Sequence, residues 1–203
     1  MTWRNTTDRY GSLSIGMHWV MLLLIIAVYM AIELHDIAPK GSTLRANLKT
    51  LHFMLGLSVL ALVTVRLATR AFAGPAPRIE PPIPVWQHRL AVAMHVVLYI
   101  FMIGMPLLGW IAISAKGKPV FFFGMQLPAL IGQDKALYDS LKEIHKTIGT
   151  AGYYLIGLHA AAALFHHYVM RDNTLLRILP TQHESSSQAR HGSFHTLDKG
   201  TGQ

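Results

Sequence analysis

Four histidines lie at spacings that would let them hold a redox cofactor inside a membrane. His145 and His159 fall within one long apolar stretch and are fourteen residues apart. Fourteen residues make nearly four helical turns, so the two imidazoles face almost the same way, roughly 21 Å apart along the helix axis. His18 and His52 lie a few residues into two other apolar runs. Because ionisable groups inside a membrane span are costly, each is a functional hypothesis.

The composition limits the kinds of site that these histidines can form. The chain of 203 residues is 52% hydrophobic and only 14% charged, whereas soluble proteins carry about 25% charged residues. Cysteine is absent, which excludes thiolate-held iron–sulfur clusters and covalently attached c-type haem. The net charge of +8 indicates anionic lipid and small anions as partners rather than nucleic acid, since most of this apolar chain cannot face water.

The apolar runs predict four transmembrane helices. A helix needs about 20 apolar residues to cross a bilayer, and runs of that length cover residues 13–34, 48–69, 86–114 and 141–167. Between the third and fourth runs, residues 115–140 contain FFFGMQLPALIG, which predicts an irregular flap at the membrane interface. We expect an all-α, integral membrane, four-helix up-and-down bundle over residues 1–180. Residues 181–203 are polar and predicted to form a disordered tail.

Basic residues near the span ends predict the orientation of the bundle. With the N-terminus inside, ten lysines and arginines lie on the inner side and eight on the outer side. This excess predicts that both termini are cytoplasmic in a multi-pass protein. The outer side is nevertheless strongly basic, since it carries Lys40, Arg45, Lys49, Lys116, Lys118, Lys135, Lys142 and Lys146.

Up-and-down crossing pairs the histidines by depth. His18 and His159 fall near the inner surface, and His52 and His145 fall near the outer surface. Two neutral imidazoles that face each other across a bundle suit a six-coordinate haem iron, so the sequence predicts two haem sites. His95 remains an alternative to His18 or His159 as a ligand.

Other residues have weaker assignments. Arg66 follows His52 by fourteen residues, so it shares that helix face roughly 21 Å deeper. It would meet the propionates of the inner haem, or else extend to the cytoplasmic interface. Gly56, Gly149 and Gly152 would allow a porphyrin to approach the backbone. The remaining histidines are expected at the interface or a quinone pocket (His88, His166, His167), in a loop (His35), or in the tail without a role (His183, His191, His195).

The chain resembles the prokaryotic cytochrome b561 family. The similarity lies in SIGMHWVMLLLIIAVYMAIEL, LKTLHFMLGLSVLALVTVRLATR, HVVLYIFMIGMPLLGW, SLKEIHKTIGTAGYYLIGLHAAAALFHHY and DNTLLRILP. The resemblance implies a bacterial inner-membrane bundle with two b-type haems. The family's ligand pattern falls on His18 with His159, and on His52 with His145. It also implies ubiquinone at the cytoplasmic side and electron transfer across the bilayer.

The electron donor is not implied by the family alone. The basic outer side favours superoxide, or another small anionic one-electron donor, because such a field would steer it. The protein would then be an oxidoreductase that uses superoxide and ubiquinone. The first alternative is a cytochrome b subunit that passes electrons between a partner dehydrogenase or hydrogenase and quinone. A metal-ion transporter or membrane scaffold is more remote, because carboxylates are nearly missing from the spans.

Overall fold

A computed structural model describes residues 2–180, and the predicted tail lies outside the described residues. All four predicted spans are helices that are long and apolar enough to cross a membrane. The prediction of an all-α membrane bundle is therefore confirmed. The helices are α1 (Ser12–Ile37), α2 (Thr43–Phe72), α3 (Val85–Ala115) and α4 (Lys135–Phe165).

Capping residues extend two helices beyond their apolar limits. The Ser42 side chain accepts a hydrogen bond from the backbone N–H of Arg45 at the start of α2. Asp134 accepts one from Leu137 at the start of α4. Hydropathy marks the part of a helix that lies in lipid, whereas caps mark where the helical backbone begins. Both helices therefore begin at least five residues before the apolar run that predicted them.

The segment between α3 and α4 is more ordered than predicted. It contains an antiparallel hairpin of β1 (Val120–Phe122) and β2 (Met125–Leu127). The turn residues Phe123 and Gly124 both have positive φ, 46° and 84°, as tight hairpin turns require. The Ser114 hydroxyl accepts a hydrogen bond from the Leu130 N–H, 3.1 Å away. The residues that follow the hairpin are thus joined to the end of α3.

The helices pack in chain order, and α4 stands apart from the first two. The α1–α2, α2–α3 and α3–α4 backbones approach closely, around a core of Met21, Val59, Val63 and Met102. Within residues 2–180, the Cα atoms of α4 stay more than 8 Å from those of α1 and α2. Side chains, including the histidines, face each other across this separation.

Gly152 is one of the points where side chains of α1 and α3 reach α4. A Cβ placed there would overlap the Tyr29 hydroxyl and the Phe101 ring. We expect Gly152→Ala to lower the free energy of unfolding by about 1–3 kcal/mol, the usual cost of overpacking. Thermal unfolding in detergent measures the shift, and Gly157→Ala is the control, because nothing lies within 4 Å of its Cβ. An equal melting temperature for both variants would contradict this account of the packing.

Three segments join at the end of the bundle that carries both described chain ends, here called the terminal side (residues 2–11, 73–84 and 171–180). Arg9 donates a hydrogen bond to the Leu179 carbonyl at 2.7 Å, and Trp19 donates one to the Ile178 carbonyl at 2.9 Å. The buried Arg177 donates to the Pro77 carbonyl at 2.5 Å. The opposite end, with residues 38–42 and 116–134, is called the hairpin side.

Candidate functional site

His52 and His145 face each other on the hairpin side. They lie nine and ten residues into α2 and α4, which places both roughly 14 Å from their helix starts. Their ring centres are 6.3 Å apart, and the ring planes are inclined by 77°. Imidazole–metal bonds are about 2 Å long, so two imidazoles on opposite faces of one metal have ring centres roughly 6 Å apart. The pair has the spacing that an iron between the rings requires.

The surroundings of the two rings leave nitrogen atoms available for a metal. His52 Nδ1 lies 3.1 Å from the Val28 carbonyl oxygen. Because that oxygen can only accept, Nδ1 carries the proton, and Nε2 is left with a free lone pair. His145 Nδ1 is buried and has no hydrogen-bond partner within residues 2–180. Gly109 on α3 makes room for this ring, since a Cβ there would lie 3.3 Å from His145 Cε1.

A cavity of about 570 Å³ surrounds this pair. Cofactor and ligand pockets typically measure about 300–1,000 Å³, so the volume suits a group of porphyrin size. Gly56 and Gly149 line the cavity, as expected for a flat group close to the backbone. Gly152 does not have that role, because Tyr29 and Phe101 fill the space above it. The charged residues of the lining are Glu33, Asp36, Arg45, Lys49, Lys142, Glu143 and Lys146.

His18 and His159 form the matching pair on the terminal side. Their ring centres are 6.5 Å apart, and the planes are inclined by 72°. Each lies six residues from the terminal-side end of its helix, which is roughly 9 Å. This spacing also accommodates a metal between two imidazoles. The residues present therefore fit two haem groups at two depths, although ligation by these four histidines stays a prediction.

His95 and Arg66 complete the terminal-side cluster. The His95 ring centre is 5.3 Å from that of His159, closer than two imidazoles that share a metal on opposite faces. His95 Nδ1 also lies 2.6 Å from the Ala91 carbonyl oxygen. This geometry favours His18 over His95 as the partner of His159. The Arg66 guanidinium turns toward His18, with Nη2 3.4 Å from Nδ1; its contact with propionates stays a prediction.

A polar group that the sequence did not predict connects α1 with α4. It consists of Tyr29, Glu33 and Tyr153. The Tyr153 hydroxyl donates to Glu33 Oε1 at 2.6 Å, and Tyr29 donates to the Gly149 carbonyl at 2.7 Å. All three side chains line the hairpin-side cavity. The i, i+4 spacing of Tyr29 and Glu33 places them on one face of α1. That spacing could have indicated a shared polar site on α1. It could not have indicated Tyr153, the partner of Glu33 in α4.

His166 is held by a buried carboxylate where α4 ends. The helix continues as a π-helical turn, His166–Met170, and stops at Arg171, which has a φ of 57°. His166 Nδ1 lies 2.5 Å from Asp172 Oδ2, and the Thr174 N–H donates to Oδ1 at 2.8 Å. Burial raises the pKa of Asp172, but the hydrogen bonds from His166 and Thr174 outweigh it, so the pKa is lowered overall.

The other histidines lie away from the two pairs. His88 is exposed in the second turn of α3, and His167 is half-buried in the π-helical turn. The loop assignment of His35 was wrong, because α1 continues to Ile37 and keeps His35 in its last turn. There, His35 Nδ1 lies 2.9 Å from Asp36 Oδ1. His183, His191 and His195 lie outside the described residues.

Known proteins similar to this chain match it over most of its length. The family described as prokaryotic cytochrome b561 matches residues 9–181. Cytochrome b561 homolog 1 of Escherichia coli (strain K12) is 38% identical over 174 residues, which are 85% of this chain and 98% of that protein. A Yersinia pestis protein named probable superoxide oxidase CybB is 36% identical over 172 residues, 85% of this chain and 96% of that protein. The chain therefore belongs to the prokaryotic cytochrome b561 family and is a membrane cytochrome b with a role in electron transfer.

Proposed function

We propose that this protein transfers electrons across the bacterial inner membrane from superoxide to ubiquinone. The observation that carries the proposal is the presence of two facing imidazole pairs at two depths of one bundle, 6.3 Å and 6.5 Å between ring centres. In this proposal both termini are cytoplasmic, so the hairpin side faces the periplasm. The relative named probable superoxide oxidase supports superoxide as the donor.

The two half-reactions balance at two superoxide ions for each ubiquinone. Each superoxide loses one electron and leaves as dioxygen, and ubiquinone takes up two electrons and two protons to become ubiquinol. A b-type haem at each histidine pair would supply one-electron redox chemistry. His52 and His145 hold the site near the donor, and His18 and His159 hold the site near the acceptor.

The hairpin side, where superoxide would donate its electron, is here called the donor end. A group of basic side chains borders it, here called the lysine rim (Lys49, Lys116, Lys118, Lys142 and Lys146). Three of them line the cavity that contains His52 and His145. Lys116 donates a hydrogen bond to the Tyr138 hydroxyl at 3.1 Å. Such a field raises the local concentration of a small anion and its rate of encounter.

The hairpin forms part of the wall of the same cavity. Val120 of β1 is buried, lines the cavity, and brings the hairpin against α2 and α3. A diatomic anion is small enough to enter such a cavity beside the hairpin.

The acceptor end needs protons as well as electrons. His166 follows His159 by seven residues, so it lies roughly 10 Å closer to the terminal side on nearly the same helix face. Its Nδ1 is held by Asp172, which leaves Nε2 to exchange a proton with a quinone oxygen. We propose that ubiquinone binds beside this histidine.

Exposed aromatic residues of the hairpin favour one second candidate function. Phe121 and Phe123 are 50% and 69% exposed and lie in the hairpin next to Val120, which lines the hairpin-side cavity. A periplasmic dehydrogenase or hydrogenase docked on them would make this chain its cytochrome b subunit. Co-purification of a redox partner from native membranes would favour this alternative.

Stopped-flow absorbance tests the proposed function directly. Purified oxidised protein is mixed with superoxide, and the haem absorbance bands report reduction. We expect reduction within milliseconds, then reoxidation when ubiquinone is added, with two superoxide ions consumed for each ubiquinol formed. Superoxide dismutase is the control, because it removes the donor. If the haems stay oxidised, superoxide is not the donor; if they stay reduced after quinone addition, ubiquinone is not the acceptor.

A further inference from the structure

The two histidine pairs differ in the group that lies beside the Nδ1 atom of one histidine, which is His52 in one pair and His18 in the other. At His52 that neighbour is the Val28 carbonyl oxygen, 3.1 Å away. At His18 it is the Arg66 guanidinium, with Nη2 3.4 Å away. A carbonyl only accepts hydrogen bonds, whereas a guanidinium only donates them and is always charged. The equivalent positions therefore have electrostatic surroundings of opposite sign.

The charge of Arg66 is not compensated by a carboxylate. The side chain is partly buried between α1 and α2, and within residues 2–180 no carboxylate lies within 4.0 Å of it. Besides His18 and His159, its charged or titratable neighbours are Arg70, Tyr99 and Tyr10. A cation in such surroundings acts more strongly on nearby groups than one in water.

The hairpin-side cavity also has more basic than acidic residues in its lining, but the two signs are mixed and five of the seven charged residues are exposed. Four basic residues line it (Arg45, Lys49, Lys142 and Lys146), but three acidic residues do so too (Glu33, Asp36 and Glu143). Lys142 lies 3.4 Å from Glu143, and both side chains are more than half exposed. Solvent and salt screen exposed charges far more than buried ones.

We propose that Arg66 raises the reduction potential at the His18–His159 site above that at the His52–His145 site, so that an electron shared between the two sites resides mainly on the terminal side. A positive charge stabilises the added electron. A carbonyl that accepts the Nδ1 proton makes the imidazole a stronger base and stabilises the oxidised metal instead. Both effects make the electron more stable at the terminal-side site than at the hairpin-side site. This inference rests on the proposed function and adds a difference in potential between its two sites.

The position of the His18 proton limits how Arg66 acts. In the described arrangement Nδ1 accepts from the guanidinium. Ligation through Nε2 places the proton on Nδ1, so the guanidinium no longer donates a hydrogen bond to that nitrogen and acts on the site through its charge. The effect therefore depends on the charge of Arg66 and does not depend on its hydrogen bond to His18.

Redox potentiometry of the haem-loaded protein, followed by visible absorbance, tests the inference. Arg66→Gln removes the charge, Arg66→Lys keeps it, and Arg70→Gln removes an exposed charge one turn away on α2. We expect Arg66→Gln to shift the equilibrium constant for reducing the terminal-side haem about tenfold, which is 59 mV for one electron. In Arg66→Lys and Arg70→Gln this equilibrium constant should stay within about twofold of its value in the unchanged protein. The reduction potential of the hairpin-side haem should be the same in all three variants.

A variant that retains one haem shows which of the two reduction potentials belongs to which site. His145→Ala removes a hairpin-side ligand, so the remaining potential belongs to the terminal side. The unchanged protein must show the higher potential there, and an equal or lower one overturns the inference even if Arg66→Gln fails to fold. Equal shifts in Arg66→Gln and Arg66→Lys, or none in either, also overturn it. These results leave the proposed function intact, whereas a protein that binds no haem refutes both.

Discussion

Replacing His145 by alanine should remove one haem from the protein and leave the other in place. Each pair lies in its own part of the bundle, and the two histidines of α4 are fourteen residues apart, roughly 21 Å along the helix. Loss of one histidine ligand should therefore not affect haem binding at the second site. Haem content per protein, measured as the pyridine complex, should fall from two to one. His18→Ala should have the same stoichiometry with a different spectrum.

The matched control is His88→Ala, because His88 is exposed on α3 and belongs to neither pair. It should keep two haems. If His145→Ala keeps both, His145 is not a ligand. If it loses both while the melting temperature stays unchanged, the two sites are not independent, and the assignment by depth is wrong.

Replacing Lys49 and Lys146 by glutamine should slow haem reduction by superoxide about tenfold at low ionic strength. Both side chains line the hairpin-side cavity, and electrostatic steering accelerates association by about 10–10³-fold. The measurement is the second-order rate constant in stopped flow at several salt concentrations. The unchanged protein should slow as salt increases, because salt screens the lysine rim. The double variant should depend on salt less steeply.

Lys135→Gln is the control for the loss of a lysine on the same side of the membrane. Lys135 is 91% exposed, lies 3.1 Å from Asp139, and is not part of the cavity lining. Its rate should match that of the unchanged protein. A rate that is independent of salt, or an equal loss in all lysine variants, would show that the lysine rim does not steer the donor.

Much of the architecture could be predicted because it depends on properties of short segments. Hydropathy counted the spans, and the rise of a helix placed Arg66 at the depth of His18, where the structure has it. The starts of α2 and α4 were predicted too late in the chain, because the capping residues Ser42 and Asp134 lie outside the apolar runs. The hairpin was missed because its strands have three residues each.

Residue types and spacing were enough to predict the number of spans, the relative depths of the four histidines and the basic character of one end. The packing of the helices selects which side chains meet. It placed His18 rather than His95 at a metal-spanning distance from His159, joined Tyr153 to Glu33, and buried Asp172 against His166. Depth follows from counting residues along one helix. Contact depends on how each helix is rotated toward its neighbours, which is set by packing between residues distant in the chain.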